Sequence, residues 1–121
     1  MADGGGRLTT HVLDTMHGGP AAGVRIELRR LDDGGATVLR DARTNADGRI
    51  DGGLLAGGSL QAGRYEIAFH VGDYFRARGV ALPDPPFLDV VPVRFAIADA
   101  ASHYHVPLLV SPWAYSTYRG S

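Results

Sequence analysis

The stretch His103-Tyr-His-Val-Pro-Leu-Leu-Val-Ser-Pro-Trp-Ala-Tyr-Ser-Thr-Tyr-Arg-Gly-Ser121 decides how the rest of the chain is read. It is apolar enough for a core, yet it holds two histidines, three tyrosines and an arginine. In a strand, successive side chains point to opposite faces. Tyr104, Val106, Leu108 and Val110 therefore share one face, and His103, His105 and Leu109 share the other. Pro112 breaks the ladder. Residues 115–119 have the pattern of a second short strand, with Ser116 and Tyr118 on one face and Tyr115, Thr117 and Arg119 on the other. The stretch is a hairpin with imidazoles on one arm and Tyr-Arg-Gly-Ser on the other.

The same alternation recurs upstream. In residues 8–13, Leu8, Thr10 and Val12 face one way and Thr9, His11 and Leu13 the other. Gly18-Gly19-Pro20 marks residues 14–23 as a loop. Val24, Ile26 and Leu28 alternate with Arg25, Glu27 and Arg29, the pattern of a half-buried strand. Asp32-Asp-Gly-Gly35 is a turn, and residues 37–44 return as a more polar strand near an edge. Asn45-Ala-Asp-Gly48 is a second turn, because Asn and Gly accept positive φ and Asx side chains close such turns. A short strand is expected at 50–55. Tyr65, Ile67, Phe69 and Val71 point inward, with Glu66, Ala68 and His70 outward. Asp73-Tyr-Phe-Arg-Ala-Arg-Gly79 reads as the one helix, capped by Asp73 and ended by Gly79. After the Pro83-Asp-Pro-Pro86 loop, Val91, Val93, Phe95 and Ile97 alternate with Pro92, Arg94, Ala96 and Ala98. Seven or eight short strands and one short helix predict an all-β sandwich. It forms a single domain over 7–121, behind a glycine-rich extension, 1–6, expected to be disordered.

A chain of 121 residues suits one domain. Twelve basic residues against 13 acidic ones, and no basic run beyond Arg29-Arg30, leave little with which to attract nucleic acid. The absence of cysteine removes disulfides, thiolate catalysis and Cys-ligated zinc, and fits a reducing compartment. Met1-Ala-Asp-Gly-Gly-Gly6 has neither the positive start nor the apolar run of a signal peptide. No apolar run is long enough to span a bilayer. The expectation is a cytoplasmic protein with no membrane or nucleic-acid partner.

Several residues are suited to chemistry. His103 and His105 form an H-x-H pair with Cα atoms about 7 Å apart along one strand. Metal ions use that spacing but need a third and usually a fourth ligand, and His11 is the available third. A calcium loop built on Asn45-Ala-Asp-Gly48 would put Arg43 and Leu54 where acids are needed, so it fails. Arg49 offers a planar five-donor fork that suits a flat, carbonyl-bearing ligand. His11 and His105 titrate near neutrality and suit acid–base work; residue types alone leave open which is the base. No serine sits in a strand–turn–helix elbow that would make it a nucleophile. Arg43 reads as structural, and His17 and His70 as surface residues.

Four segments stand in order along the chain: Leu8-Thr-Thr-His-Val-Leu-Asp-Thr15, Arg43-Thr-Asn-Ala-Asp-Gly-Arg49, His103-Tyr-His-Val-Pro-Leu-Leu109 and Tyr115-Ser-Thr-Tyr-Arg-Gly-Ser121. Together they resemble the 5-hydroxyisourate hydrolases, the transthyretin-related enzymes of urate breakdown, from about Leu8 to Ser121. The resemblance implies a transthyretin-like β-sandwich with its helix after the fifth strand. It also implies a homotetramer whose sites lie in the channel between paired dimers. The implied reaction is hydrolytic opening of 5-hydroxyisourate at N1–C6, giving 2-oxo-4-hydroxy-4-carboxy-5-ureidoimidazoline. His11, Arg49 and His105 would be catalytic, and His11, Arg49, Tyr118 and Ser121 would bind the substrate, with no metal or cofactor. Arg119-Gly120-Ser121 would rim the site, with Gly120 allowing a backbone bend that a side chain would block and the chain required to end at Ser121. The rival is a non-catalytic small-ligand carrier of the same fold, which has no use for paired imidazoles. Departures from the family pattern are small: Trp113-Ala114 at a variable position, and the glycine-rich start.

Overall fold

Alternating apolar residues build two facing sheets in the computed structural model, which describes residues 5–120. Expectations for residues 1–4 and for Ser121 lie outside the described residues. The first sheet holds β1 (Arg7–Asp14), β2 (Gly19–Pro20), β8 (His103–Val110) and β9 (Tyr115–Thr117). Its order is β2-β1-β8-β9, and a two-residue strand, β5 (Leu55–Ala56), also pairs with β1. The second holds β3 (Arg25–Asp32), β4 (Gly35–Arg43), β6 (Gly63–His70) and β7 (Val90–Ile97), in the order β4-β3-β6-β7. The central pair of the first sheet, β1 and β8, is parallel; the other strand pairs are antiparallel.

The core lies between the sheets, where Leu8, Val12, Leu108 and Val110 meet Ile26, Leu28, Ile67, Phe69 and Ile97, all buried. Each such side chain contributes about 1.5–3 kcal/mol by leaving water. Two polar residues on the inner side of β1 are satisfied locally. Thr10 donates to the Val106 carbonyl, and Asp14 accepts from the Tyr74 hydroxyl and the His17 amide. Burial pushes the Asp14 carboxyl up, but the bonds from His17 and Tyr74 outweigh it and hold it below its usual range. Tyr74, desolvated and donating to that carboxylate, is pushed up to about 12.

Several sequence expectations are corrected. The 14–23 loop contains β2, which folds back on β1. The strand expected at 50–55 shrinks to β5, because Gly52 and Gly53 turn the chain with φ of 77° and 75°. The helix, α1 (Val71–Ala77), begins two residues early because buried Val71 and Gly72 carry it straight out of β6. Asp73 lies in its first turn and makes no cap, whereas Gly79, at φ 81°, ends it as expected. With both two-residue strands counted, α1 follows the sixth strand rather than the fifth. His17 is exposed, as expected of a surface residue, with its ring paired to Asp14 at 2.5 Å, whereas His70 is only partly exposed and pairs with Glu27 at 2.8 Å. Glu66 and Ala68 are buried, Glu66 between Arg29 and Arg94 at 3.0 Å each. Nor does the expected disorder reach Gly6, which is buried and donates to the Ala100 carbonyl at 2.8 Å. A Cβ there would lie 2.0 Å from the Ser102 carbonyl oxygen, so only glycine fits.

Candidate active site

The parallel register of β1 and β8 creates the site. It sets Arg7 beside His103, Thr9 beside His105 and His11 beside Pro107. Laterally paired residues present their side chains on the same face. The face opposite the buried Leu8, Val12, Leu108 and Val110 therefore carries Thr9, His11, His103 and His105 together. The expected face assignments of both strands hold. What sequence alone could not supply was their adjacency, across more than ninety residues of chain.

Thr9 ties the two histidines of β8 together. Its Oγ1 lies 3.0 Å from His103 Nε2 and 2.8 Å from His105 Nδ1. His105 Nε2 has no hydrogen-bond partner among the described residues. The H-x-H pair thus converges on a hydroxyl. Among the described residues no group of three or more His, Asp or Glu side chains is arranged to hold a metal ion.

Arg49 arrives by a different route. Asn45 Oδ1 accepts the amides of Asp47 and Arg49 at 2.8 and 3.1 Å, and Gly48 completes the turn at φ 74°. Gly48 is also required sterically, since a Cβ would lie 2.5 Å from the Val12 carbonyl oxygen. The Gly48 carbonyl accepts from Val12 N at 2.8 Å, which docks the turn on β1. Arg49 is thereby bridged to His11. Arg43, at the start of the same segment, donates to the Gly23 carbonyl, the structural role expected of it.

The segment after β9 closes the other side. β9 ends at Thr117, short of the expected 119, but the Gly120 amide donates to the His105 carbonyl at 2.7 Å. Arg119 stacks over the Tyr104 ring at 4.4 Å and donates to the His103 carbonyl at 3.2 Å. Gly120 is not at positive φ; as expected, a side chain is blocked there, since a Cβ at 120 would lie 2.8 Å from Cδ2 of the His105 ring.

These elements enclose an open cavity of about 440 Å³, lined by Arg7, Thr9, Arg49, Ile50, His103 and His105 among others. That is room enough for a small flat ligand. Burial, then the Arg49 charge, then those of His11 and His103 hold the His105 pKa below its ordinary value. Burial and Arg49 lower His11 as well, against a weaker upward pull from Asp47. Both rings are therefore neutral bases at neutral pH, facing a guanidinium that stays charged.

Of the residues singled out in the sequence, Arg49 and His105 line the cavity and His11 adjoins Arg49. Tyr118 is 60% exposed and lines a separate cleft with Thr117, Arg119 and residues of β7. Ser121 lies outside the described residues. Sequence reasoning missed Thr9 and Arg7. Thr9 shares the outward face with His11 and was legible as such; Arg7 carried no signal before its pairing with His103 was known.

A family model matches residues 8–120 under the description HIUase/Transthyretin family. The chain belongs to that family. It is 61% identical over 116 residues to 5-hydroxyisourate hydrolase 2 of Rhizobium meliloti (strain 1021), covering 96% of this chain and 97% of that one. Among solved structures it is similar to Klebsiella pneumoniae 5-hydroxyisourate hydrolase, with a TM-score of 0.78 and 35% identity over 96% of this chain and 99% of that one. It is also similar to an (S)-allantoin synthase, with a TM-score of 0.93 and 50% identity over 99% of this chain. The match spans 45% of the synthase chain, less than half its length.

Proposed function

We propose that the chain hydrolyses 5-hydroxyisourate at the N1–C6 bond, with His105 as the base. The observation that carries this reading is the His105 ring. It is half-buried and kept neutral, held at Nδ1 by Thr9, and it shares the cavity with the fixed charge of Arg49. The relatives named 5-hydroxyisourate hydrolase support the choice of substrate. Water attacks the C6 carbonyl and gives its proton to His105 Nε2. Arg49 binds the developing oxyanion and the neighbouring carbonyl oxygens. Collapse breaks C6–N1, and the imidazolium returns the proton to N1. Carboxylate and ureido groups result, as in 2-oxo-4-hydroxy-4-carboxy-5-ureidoimidazoline. His11, neutral and beside Arg49, orients the water or the ring.

The working form in this reading is a homotetramer, in which Tyr118 and Ser121 contact substrate in a channel between dimers. Its support is the exposure of β9 and of Trp113, Tyr115 and Tyr118 around it, aromatics of the type that interfaces bury. The cytoplasm is the proposed compartment, consistent with a chain without cysteine; no helix among the described residues is long and apolar enough to cross a membrane. A carrier of the same fold would need neither a neutral imidazole nor a guanidinium at its cavity. The test is ultraviolet decay of freshly generated 5-hydroxyisourate with and without the protein. Decay no faster than the spontaneous rate would overturn hydrolysis and leave the carrier.

A further inference from the structure

Thr9 and His103 take part in no bond-making or proton-transfer step of the mechanism above, yet they form the contact that fixes His105. A threonine hydroxyl carries one proton and two lone pairs, and a neutral imidazole has one N–H and one bare nitrogen. Thr9 Oγ1 meets a ring nitrogen on each side, at 3.0 and 2.8 Å. The hydroxyl can give its proton to only one of them. The other ring must then bring its own N–H, so the tautomers of His103 and His105 are linked through this oxygen.

We propose that Thr9 and His103 are positioning residues for His105, which carries its proton on Nδ1 and donates to Thr9 Oγ1 while Thr9 donates to His103 Nε2. The chain of bonds runs Nδ1–H, Oγ1–H, Nε2. It leaves the Nε2 lone pair of His105 bare toward the cavity, the state a base acting on water requires. This inference rests on the proposed hydrolysis and deepens it. The logic is that of any base whose tautomer is set by a third group at its other nitrogen. Here the third group is a hydroxyl backed by a second imidazole rather than a carboxylate.

Two observations favour this polarity of the chain over the reverse, for a ring that is half-buried and held neutral in either case. A bare Nδ1 on His105 would place its N–H at Nε2, where no partner stands among the described residues. His103 is exposed, so its Nδ1–H can be satisfied by water at little cost. The frame around the three groups is also fixed. Gly53 lets the chain pass against the Thr9 methyl, where a Cβ would already come within 3.3 Å. Arg119 holds the His103 carbonyl while stacking on Tyr104.

The test combines nitrogen-15 NMR of the imidazoles near neutral pH with steady-state kinetics of Thr9→Val, Thr9→Ser and His103→Gln. Val keeps the shape of Thr9 and removes the hydroxyl; Ser restores it; Gln retains a carbonyl that can accept its proton. In the parent protein His105 should show a protonated Nδ1 and a bare Nε2. Thr9→Val should average the two tautomers and lower kcat by about 10- to 100-fold, the range seen when outer partners of other functional imidazoles are removed. KM should move little, while Thr9→Ser and His103→Gln recover most of kcat and the parental tautomer. A proton on Nε2 of His105 in the parent overturns the inference. So does parental kcat in Thr9→Val, or a loss of kcat with the tautomer unchanged. The parent spectrum decides the polarity even if Thr9→Val fails to fold. A parent protein that does not accelerate decay of 5-hydroxyisourate sinks the hydrolase reading instead, with the tautomer still read directly.

Discussion

Replacing Gly120 by alanine adds one methyl group, and the geometry says where it lands. The new Cβ would lie 2.8 Å from Cδ2, 3.1 Å from Cβ and 3.3 Å from Cγ of His105. Unstrained carbon–carbon contacts sit at about 3.5–4.0 Å, so the ring or the tail must retreat by roughly 1 Å. The tail is held by the bond from Gly120 N to the His105 carbonyl at 2.7 Å and by Arg119 on Tyr104, which leaves the ring as the softer side. Gly120 and Thr9 flank His105 on opposite sides, so a ring pushed off Gly120 is driven toward β1 and cannot keep the present geometry of its 2.8 Å contact with Thr9. A misplacement of about 1 Å in a catalytic group can cost on the order of 10²-fold in rate. The strain itself, about 1–3 kcal/mol, is confined to the last residues described and should leave the fold intact. The assay is kcat/KM from initial rates of 5-hydroxyisourate decay, with a thermal melt on the same preparation. A fall of about 10²-fold with a nearly unchanged melt is expected. Parental kcat/KM in folded Gly120→Ala would refute the claim that the chain end shapes the base.

The other predictions follow from the same contacts. His11→Ala and Arg49→Ala should each slow turnover with normal circular dichroism; parental rates in both would remove them from the site. The pH profile gives a signed test: protonated His105 is no base, so activity rises with pH through its pKa, below about 6.5 in the parent. Arg49→Gln removes the second-largest cause of that lowering, so the acid limb of the residual activity should move up in pH, and a downward shift would contradict the assignment. Gly48→Ala combines positive φ with a 2.5 Å clash against the Val12 carbonyl, and should cost on the order of 1–3 kcal/mol of stability by denaturant titration. Light scattering should give four times the 12.8 kDa chain mass; a stable monomer would sink the channel arrangement.

The sandwich was legible because its strands carry period-two burial, cleanest where one face is core and the other water, as in Leu8–Val12 and Val24–Leu28. It blurred where both faces are covered: Glu66 and Ala68 look outward by alternation but are buried. A two-residue strand such as β2 leaves no periodicity to read, so one more strand precedes the helix than alternation showed. For the site, Arg49 was legible from its turn, since Asn45 and Gly48 have a local geometric purpose. The Thr9 bridge was not, because it depends on the parallel register between β1 and β8, a pairing between opposite ends of the chain. That a side chain would be blocked at Gly120 was legible; that the group it would strike is the His105 ring was not, because it depends on how the tail docks on β8.

The most direct test of the account is a comparison of the parent protein with His105→Ala on freshly generated 5-hydroxyisourate, at equal concentration and with matching circular dichroism. The account predicts clear acceleration by the parent and a loss of about 10²- to 10⁴-fold in the variant, the usual contribution of a general base. A His105→Ala protein that hydrolyses the substrate at the parental rate would contradict it.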